Sequence, residues 1–313
     1  MVKIESKDYY VQVNENQILR CSLRGKFKKE LAHKKDKLLT LDVAVIGDWV
    51  QVKKISDEVG VIESVHSRGN YLSRKAGKLR GSLKRGGRLE QIIASNIDML
   101  YIVTSIKSPE FNNRFLDRVI VAAESCHIDI SIIINKLDLD VENRSAEWEQ
   151  FYKSLGYNVF RISATKGKFI NELRESLKGK INLFCGMSGV GKSSILNAMF
   201  PSLEFKVGEI SDSSNKGMHT TVTGNMQKVE DETYIIDTPG IREIDPFGIK
   251  KEDLAHYYLE FVPHLQECKF NTCIHDHEPG CAVIKAVEKD LISIERYQSY
   301  LNLLNTIEDD MFY

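Results

Sequence analysis

The stretch Gly186-Met187-Ser188-Gly189-Val190-Gly191-Lys192-Ser193 decides how the middle of the chain is read. Its spacing satisfies the glycine-rich phosphate-loop pattern in every required position. The glycines let backbone N–H groups turn inward around a phosphate. Lys192 is spaced to reach the β and γ phosphates, and the Ser193 hydroxyl to bind Mg²⁺. The apolar run Ile181 to Cys185 predicts a strand before the loop, and Ser193 to Met199 a helix after it. The candidate nucleotide contacts are therefore Gly186, Met187, Ser188, Gly189, Val190, Gly191, Lys192 and Ser193, with Ser194 adjoining. The loop alone does not separate ATP from GTP.

Working outward, the surrounding chain alternates strand and helix. Met99 to Thr104, Ile128 to Ile134, Asn158 to Ile162 and Tyr234 to Ile236 read as buried strands. Asn113 to Cys126, Ala146 to Leu155 and Ile170 to Leu177 read as helices. Such alternation predicts a parallel sheet covered by helices. Asn135-Lys136-Leu137-Asp138 follows one of these strands. A carboxylate at Asp138 can accept from guanine N1–H and from the 2-amino group. Adenine offers neither donor, so Asp138 selects against it. Lys136 can lie along the base, and Ser163-Ala164-Thr165 after the next strand can buttress it. Downstream of the phosphate loop, Asp237-Thr238-Pro239-Gly240 would hold Mg²⁺ through Asp237 and face the γ-phosphate with the Gly240 amide. Gly217-Met218-His219-Thr220-Thr221 supplies the threonine that closes on Mg²⁺: Thr221, with Thr220 as the alternative.

The order of these parts is unusual. In an ordinary GTPase the phosphate loop comes first and the base reader last. Here residues 135–138 precede residues 186–193. A sheet tolerates such a permutation when the old termini lie close together and the new break falls at the surface.

The N-terminal and C-terminal thirds differ from this core. Residues 1–90 hold 20 Lys and Arg against 11 Asp and Glu, a net of +9, whereas the remainder has a net of −10. Short apolar runs at Tyr9 to Val13, Ile18 to Leu23, Trp49 to Val52, Gly60 to Val65 and Leu89 to Ala94 predict about five strands, which suit an oligonucleotide-binding (OB) barrel. No acid lies between Glu63 and Glu90. That stretch carries Arg68, Arg74, Lys75, Lys78, Arg80, Lys84, Arg85 and Arg88 among glycines and serines, and suits a nucleic-acid backbone, RNA above all. At the other end, Cys268, Cys273, His275 and Cys281 offer three thiolates and an imidazole. Tetrahedral zinc uses four such ligands, and a closed set is structural. His277 rivals His275. An amphipathic helix is expected from Ala282 to about Ile307. The expected division is 1–95, an RNA-binding barrel; 96–245, the permuted nucleotide-binding domain; and 246–313, a mainly helical zinc-binding domain.

Composition excludes several classes. With 42% hydrophobic and 28% charged residues the chain reads as globular. Its longest apolar run falls well short of a membrane span, and the N-terminus has no apolar signal region. A cytoplasmic protein with no membrane partner is expected.

Together, the barrel, the permuted motifs Asn135–Asp138, Ser163–Thr165, Gly186–Ser193 and Asp237–Gly240, and the Cys268/Cys273/His275/Cys281 cluster resemble the bacterial small-ribosomal-subunit-dependent GTPase family, RsgA. The resemblance covers nearly the whole chain. It implies a GTP hydrolase of late small-subunit maturation that acts as a monomer, binds the 30S particle and its rRNA, cycles between GTP and GDP, and uses Mg²⁺ and one structural zinc. Ile241 follows Gly240 where Ras-like enzymes carry a water-orienting glutamine. The resemblance implies His219 as the replacement, making His219, Thr221 and Lys192 the expected catalytic set. Gly189 stands where several potassium-activated relatives carry asparagine, so that side-chain ligand is missing. The rival reading is a GTP-binding, RNA-associated switch with negligible hydrolysis.

Overall fold

The computed structural model describes residues 1–5, 8–25, 43–75, 90–203, 225–237, 244 and 246–307. At its centre lie β8 (Met99–Ser105), β9 (Ile130–Asn135), β10 (Asn158–Arg161), β11 (Ile181–Cys185) and β13 (Thr233–Asp237). They run parallel in the order β10-β9-β8-β11-β13. The near-continuous apolar character of β8 and β9 follows from burial on both faces. Leu100, Ile102, Ile132 and Ile134 pack on one side, with Leu116, Val119 and Tyr152 of helices α1 (Asn113–Glu124) and α2 (Arg144–Ser154). Tyr101, Val103 and Ile133 pack on the other, with Leu173, Ile195 and Leu196 of α3 (Ile170–Ser176) and α4 (Lys192–Met199). Every strand of this parallel set ends at the same edge of the sheet. The loops that follow β9, β10 and β11 therefore emerge together, beside the end of β13 at Asp237, where open α/β sheets bind ligands.

The N-terminal module contributes β1 (Lys3–Glu5), β2 (Asp8–Asn14), β3 (Gln17–Leu23), β4 (Val50–Lys54) and β5 (Val59–Val65), in the order β1-β2-β3-β5-β4. They enclose a small core of Val11, Leu19, Cys21, Leu23, Ala44 and Ile62. Two strands of this module were not expected from sequence, nor was β12 (Asn225–Glu230) of the central sheet. One is β6 (Tyr71–Lys75), which pairs antiparallel with β7 (Glu90–Ser95). The other is β1, too short to show a period. It pairs with β12 (Asn225–Glu230), itself antiparallel to β13, and so joins the N-terminal strands to the central sheet.

The C-terminal region holds the short helix α5 (Val262–Leu265), α6 (Ala282–Glu288) and α7 (Ile294–Leu304). The single helix expected from Ala282 to about Ile307 is two. Asp290 has a left-handed φ of 57°, and the Ser293 side chain accepts from the Glu295 and Arg296 N–H groups to start α7 afresh. Helices are the regular elements of this region among the described residues, while loops carry much of it. Arg296 of α7 is almost fully buried and binds Asp117 of α1 and Glu260, at 2.6 Å for the latter. This ion network ties the region to the central domain.

Candidate functional site

The loop after β11 is shaped by its glycines. A Cβ on Gly186 would lie 2.3 Å from the Val103 carbonyl oxygen, and one on Gly191 would lie 2.4 Å from Asn135 Nδ2. Gly191 also has φ +97°, where an L side chain is strained. The loop leads directly into α4, whose first turn contains Lys192, Ser193 and Ser194. Val190 is fully buried and Met187 packs on the core, whereas Ser188 and Gly189 are exposed.

Asn135 is the knot of the site. Its buried side chain donates from Nδ2 to the Val190 carbonyl at 2.9 Å, and its Oδ1 accepts from the Ala164 N–H at 3.2 Å. One amide thus joins the loop after β11 to the loop after β10. Lys136, at φ +66°, donates from Nζ to the Gly189 carbonyl at 2.7 Å and to the Ser108 carbonyl. The exposed Asp138 carboxylate accepts from the Ser163 hydroxyl, and Thr165 lies beside it. The Ser163 hydroxyl holds the Asp138 carboxyl below the usual carboxylate range. The acceptor is therefore ionised and oriented. Lys192 Nζ donates to the Gly186 and Met187 carbonyls at 2.7 and 3.1 Å. Burial lowers its pKa, with Cys185 and Asp237 opposing. Burial raises the pKa of Asp237, with Lys192 opposing. A cation beside Asp237 would favour the ionised form that burial disfavours, so this carboxylate suits a metal-bound phosphate.

His219, Thr220, Thr221, Gly240 and Ile241 lie outside the described residues. So do Lys78, Arg80, Lys84, Arg85 and Arg88. The described cations of the basic stretch are less free than their sequence suggests. Arg68 forms a two-pronged pair with Asp48 at 2.7 and 2.9 Å, and Asp48 also accepts from Ser95 and from the Val45 N–H. That guanidinium anchors the β3–β4 connection, where Gly47-Asp48 had read only as a turn. Arg74 donates to Gln91 at 3.1 Å, and Lys75 is half-buried at the end of β6.

In the C-terminal region, Cys268, Cys273, His275 and Cys281 bring their ligand atoms within 4.8 Å of one another. Cys268 Sγ lies 3.6 Å and Cys281 Sγ 3.3 Å from His275 Nδ1. Tetrahedral ligands about 2.3 Å from a metal stand roughly 3.7 Å apart, so the set can hold a metal ion. The backbone N–H groups of Ala282 and Ile284 donate to the sulfurs of Cys268 and Cys281, as thiolates require. Without a cation, burial pushes the Cys273 thiol up to about 12. His277 is largely exposed and pairs with Asp276, so it is not part of the cluster. Glu278 was missed from sequence. Its carboxylate accepts from the N–H groups of Ile274, Asp276 and His277, clamping the turn that presents His275. Its place between two ligands was the available signal.

Known proteins share this arrangement. The family described as RsgA GTPase matches residues 65–247, and the RsgA N-terminal domain matches residues 1–62. A protein of Bacteroides thetaiotaomicron named small ribosomal subunit biogenesis GTPase RsgA 2 is 35% identical over all of this chain and 97% of its own length. A Chlorobaculum parvum relative named small ribosomal subunit biogenesis GTPase RsgA is 41% identical over 86% of each. The crystal structure of YjeQ from Thermotoga maritima superposes with a TM-score of 0.73 at 32% identity, covering 97% of this chain and 95% of that one. The structure of YloQ, described as a circularly permuted GTPase, gives 0.68 at 26% identity, covering 98% and 93%. Motif order, loop geometry and these relatives agree: the chain belongs to the RsgA family of circularly permuted GTPases and is a GTP hydrolase.

Proposed function

We propose that this protein hydrolyses GTP during late maturation of the small ribosomal subunit, that it acts in the cytoplasm as a single chain, and that the subunit stimulates it. Its relatives are named for biogenesis of that subunit. The observation that carries the reading is the double hydrogen bond of Asn135, which draws the loops at Val190 and Ala164 onto one pocket.

In that pocket Asp138 accepts from the two guanine donors, oriented by Ser163, while Lys136 and Ala164 flank the base. The backbone from Gly186 to Ser193, with Ser194, cradles the phosphates, the Gly240 amide faces the γ-phosphate, and Lys192 counters charge growing on the phosphates. Ser193, Thr221 and Asp237 would hold magnesium, which when bound neutralises phosphate charge. Ile241 carries no polar side-chain atom, so His219 orients the attacking water. Cys268, Cys273, His275 and Cys281 hold one structural zinc. Residues 1–95 serve as an RNA-binding barrel, 96–245 as the GTPase domain and 246–313 as the zinc module. Arg74, Lys75, Lys78, Arg80, Lys84, Arg85 and Arg88 meet the rRNA backbone; Arg68, paired with Asp48, supports the fold.

GTP turnover measured with 30S, 50S and 70S particles and with none tests this reading. Marked stimulation by 30S is expected. Tight GTP binding with no stimulation would instead make the protein an RNA-associated switch. His219→Ala should keep nucleotide and 30S binding but lose most of the stimulated rate. A native rate on saturating 30S would assign the water to another group.

A further inference from the structure

The chain has two tryptophans, and their settings are opposite. Trp148 stacks on Phe111 with ring centroids 4.4 Å apart, inside an aromatic cluster. Trp49 is 67% exposed and is the largest apolar side chain turned outward among the described residues of the N-terminal module. Core packing does not explain it. Its strand neighbours Val50 and Val52 point inward against the small core, and Trp49 takes the opposite face.

That face is organised. The His66 N–H donates to the Trp49 carbonyl at 2.9 Å, extending the β4–β5 ladder by one step beyond Val50 and Val65. Paired residues on adjacent strands share a face. Gln51 and Ser64 confirm this one, with Ser64 Oγ donating to Gln51 Oε1 at 3.2 Å. An indole therefore stands beside an exposed imidazole, an amide and a hydroxyl. From Trp49 to Lys54 and from Ser64 to Arg68 there is no acid, while Lys53 and Lys54 lie further along β4. Two carboxylates adjoin it in sequence: Asp48 is buried and taken up by Arg68 and Ser95, and Glu63, next to Ser64, is paired with Arg24 at 3.5 Å. A flat apolar surface ringed by donors and acceptors, with the adjoining carboxylates paired to arginines, fits a nucleobase attached to a phosphate backbone. An apolar protein knob would strip water from the His66 imidazole and the Gln51 amide N–H groups without replacing those hydrogen bonds.

We propose that Trp49 stacks an unpaired base of single-stranded RNA, with His66, Gln51 and Ser64 facing the base edge. The inference rests on the reading of residues 1–95 as an RNA-binding module and adds the residue that grips a base. The probe is a short single-stranded oligoadenylate, about a dozen nucleotides long, comparable with the sites of such barrels. In Trp148→Phe, where Trp49 is the one remaining tryptophan, the oligonucleotide should quench tryptophan fluorescence saturably. Independently of that variant, polarisation of labelled oligoadenylate should show Trp49→Ala binding about tenfold more weakly than native, and Trp49→Phe retaining most of the affinity. Equal affinity of Trp49→Ala and native protein would overturn the stacking role while leaving the RNA-binding module intact. No oligonucleotide binding by native protein at low salt would overturn both. Weakened 30S binding by Trp49→Ala with unchanged oligonucleotide affinity would assign the face to a protein contact and likewise overturn it.

Discussion

At the scale of single residues, the proposed choice of guanine rests on one carboxylate. Asp138 is exposed, ionised and held by the Ser163 hydroxyl, so its two oxygens are ready to accept. Asp138→Asn replaces one acceptor by a donor. GTP affinity should fall by at least tenfold, since a hydrogen bond to a charged group contributes about 1.5–3 kcal/mol. Xanthosine triphosphate, whose 2-oxo group accepts from the new amide, should bind better than it does to the native protein. Titration of both nucleotides checks this, and unchanged GTP affinity would remove Asp138 from the base contact. Asn135 acts differently. It touches two loops and shapes the pocket through both, a role the motif does not advertise. Asn135→Ala strands the buried Val190 carbonyl and the Ala164 N–H. Leaving buried polar groups unpaired costs about 1–3 kcal/mol each. Thermal unfolding without nucleotide should register that loss before any effect on binding is measured.

Among elements, the turn that carries the cysteines brings four metal-ligand atoms within 4.8 Å of one another. Its ligands sit at the start of α6 and on the loop before it, and Cys281 caps α6 by accepting from the Ile284 N–H. Tyr297 and Tyr300 of α7 donate to the His275 and Ile274 carbonyls at 2.8 and 2.6 Å. Release of a metal held there would therefore loosen both helices at their contact with the loop. One tightly held zinc per chain is expected on metal analysis of freshly purified protein. Chelation, or Cys273→Ser, should remove helical signal and expose Tyr297 and Tyr300 to solvent, read by circular dichroism and tyrosine emission. Protein purified without zinc and still fully folded would contradict a structural role.

Across the whole molecule, two junctions matter. One is the pairing of β1 with β12, which puts the N-terminal strands in register with the strand that begins just after residue 224. The other is the network of Arg296, Asp117 and Glu260, with the Arg296 guanidinium over the Tyr258 ring at 4.5 Å. Arg296→Met would leave two carboxylates without their cation. Breaking a buried pair from one side costs about 3–5 kcal/mol. Denaturant unfolding should show that loss, with the C-terminal region released first; an unchanged midpoint would mean that the network adds nothing. The basic stretch also works at this scale. Charge reversal at Arg74, Lys75 and Lys78 should weaken 30S binding and flatten its salt dependence while GTP affinity holds. Equal 30S binding by reversed and native proteins would exclude it as the RNA contact.

Local spacing along the chain is enough to mark candidate chemistry. The phosphate loop, Asn135–Asp138, Asp237 and the cysteines were legible because backbone cradles and metal sites need particular residues a few positions apart. The parallel sheet was legible because strands buried on both faces must be apolar along their whole length. Tertiary structure decided what depends on distant partners. Arg68 reads in sequence as one cation of a basic stretch, yet Asp48, twenty residues away, pairs with it. His275 prevailed over His277 only because Glu278 and α7 shape the turn around it. Arg296 reads in sequence as one more charge on an amphipathic helix, yet it is buried between Asp117 and Glu260. Strand β1 is too short to declare itself and exists because β2 and β12 offer it backbone partners. Spacing is a property of the chain, whereas burial and charge pairing belong to the fold.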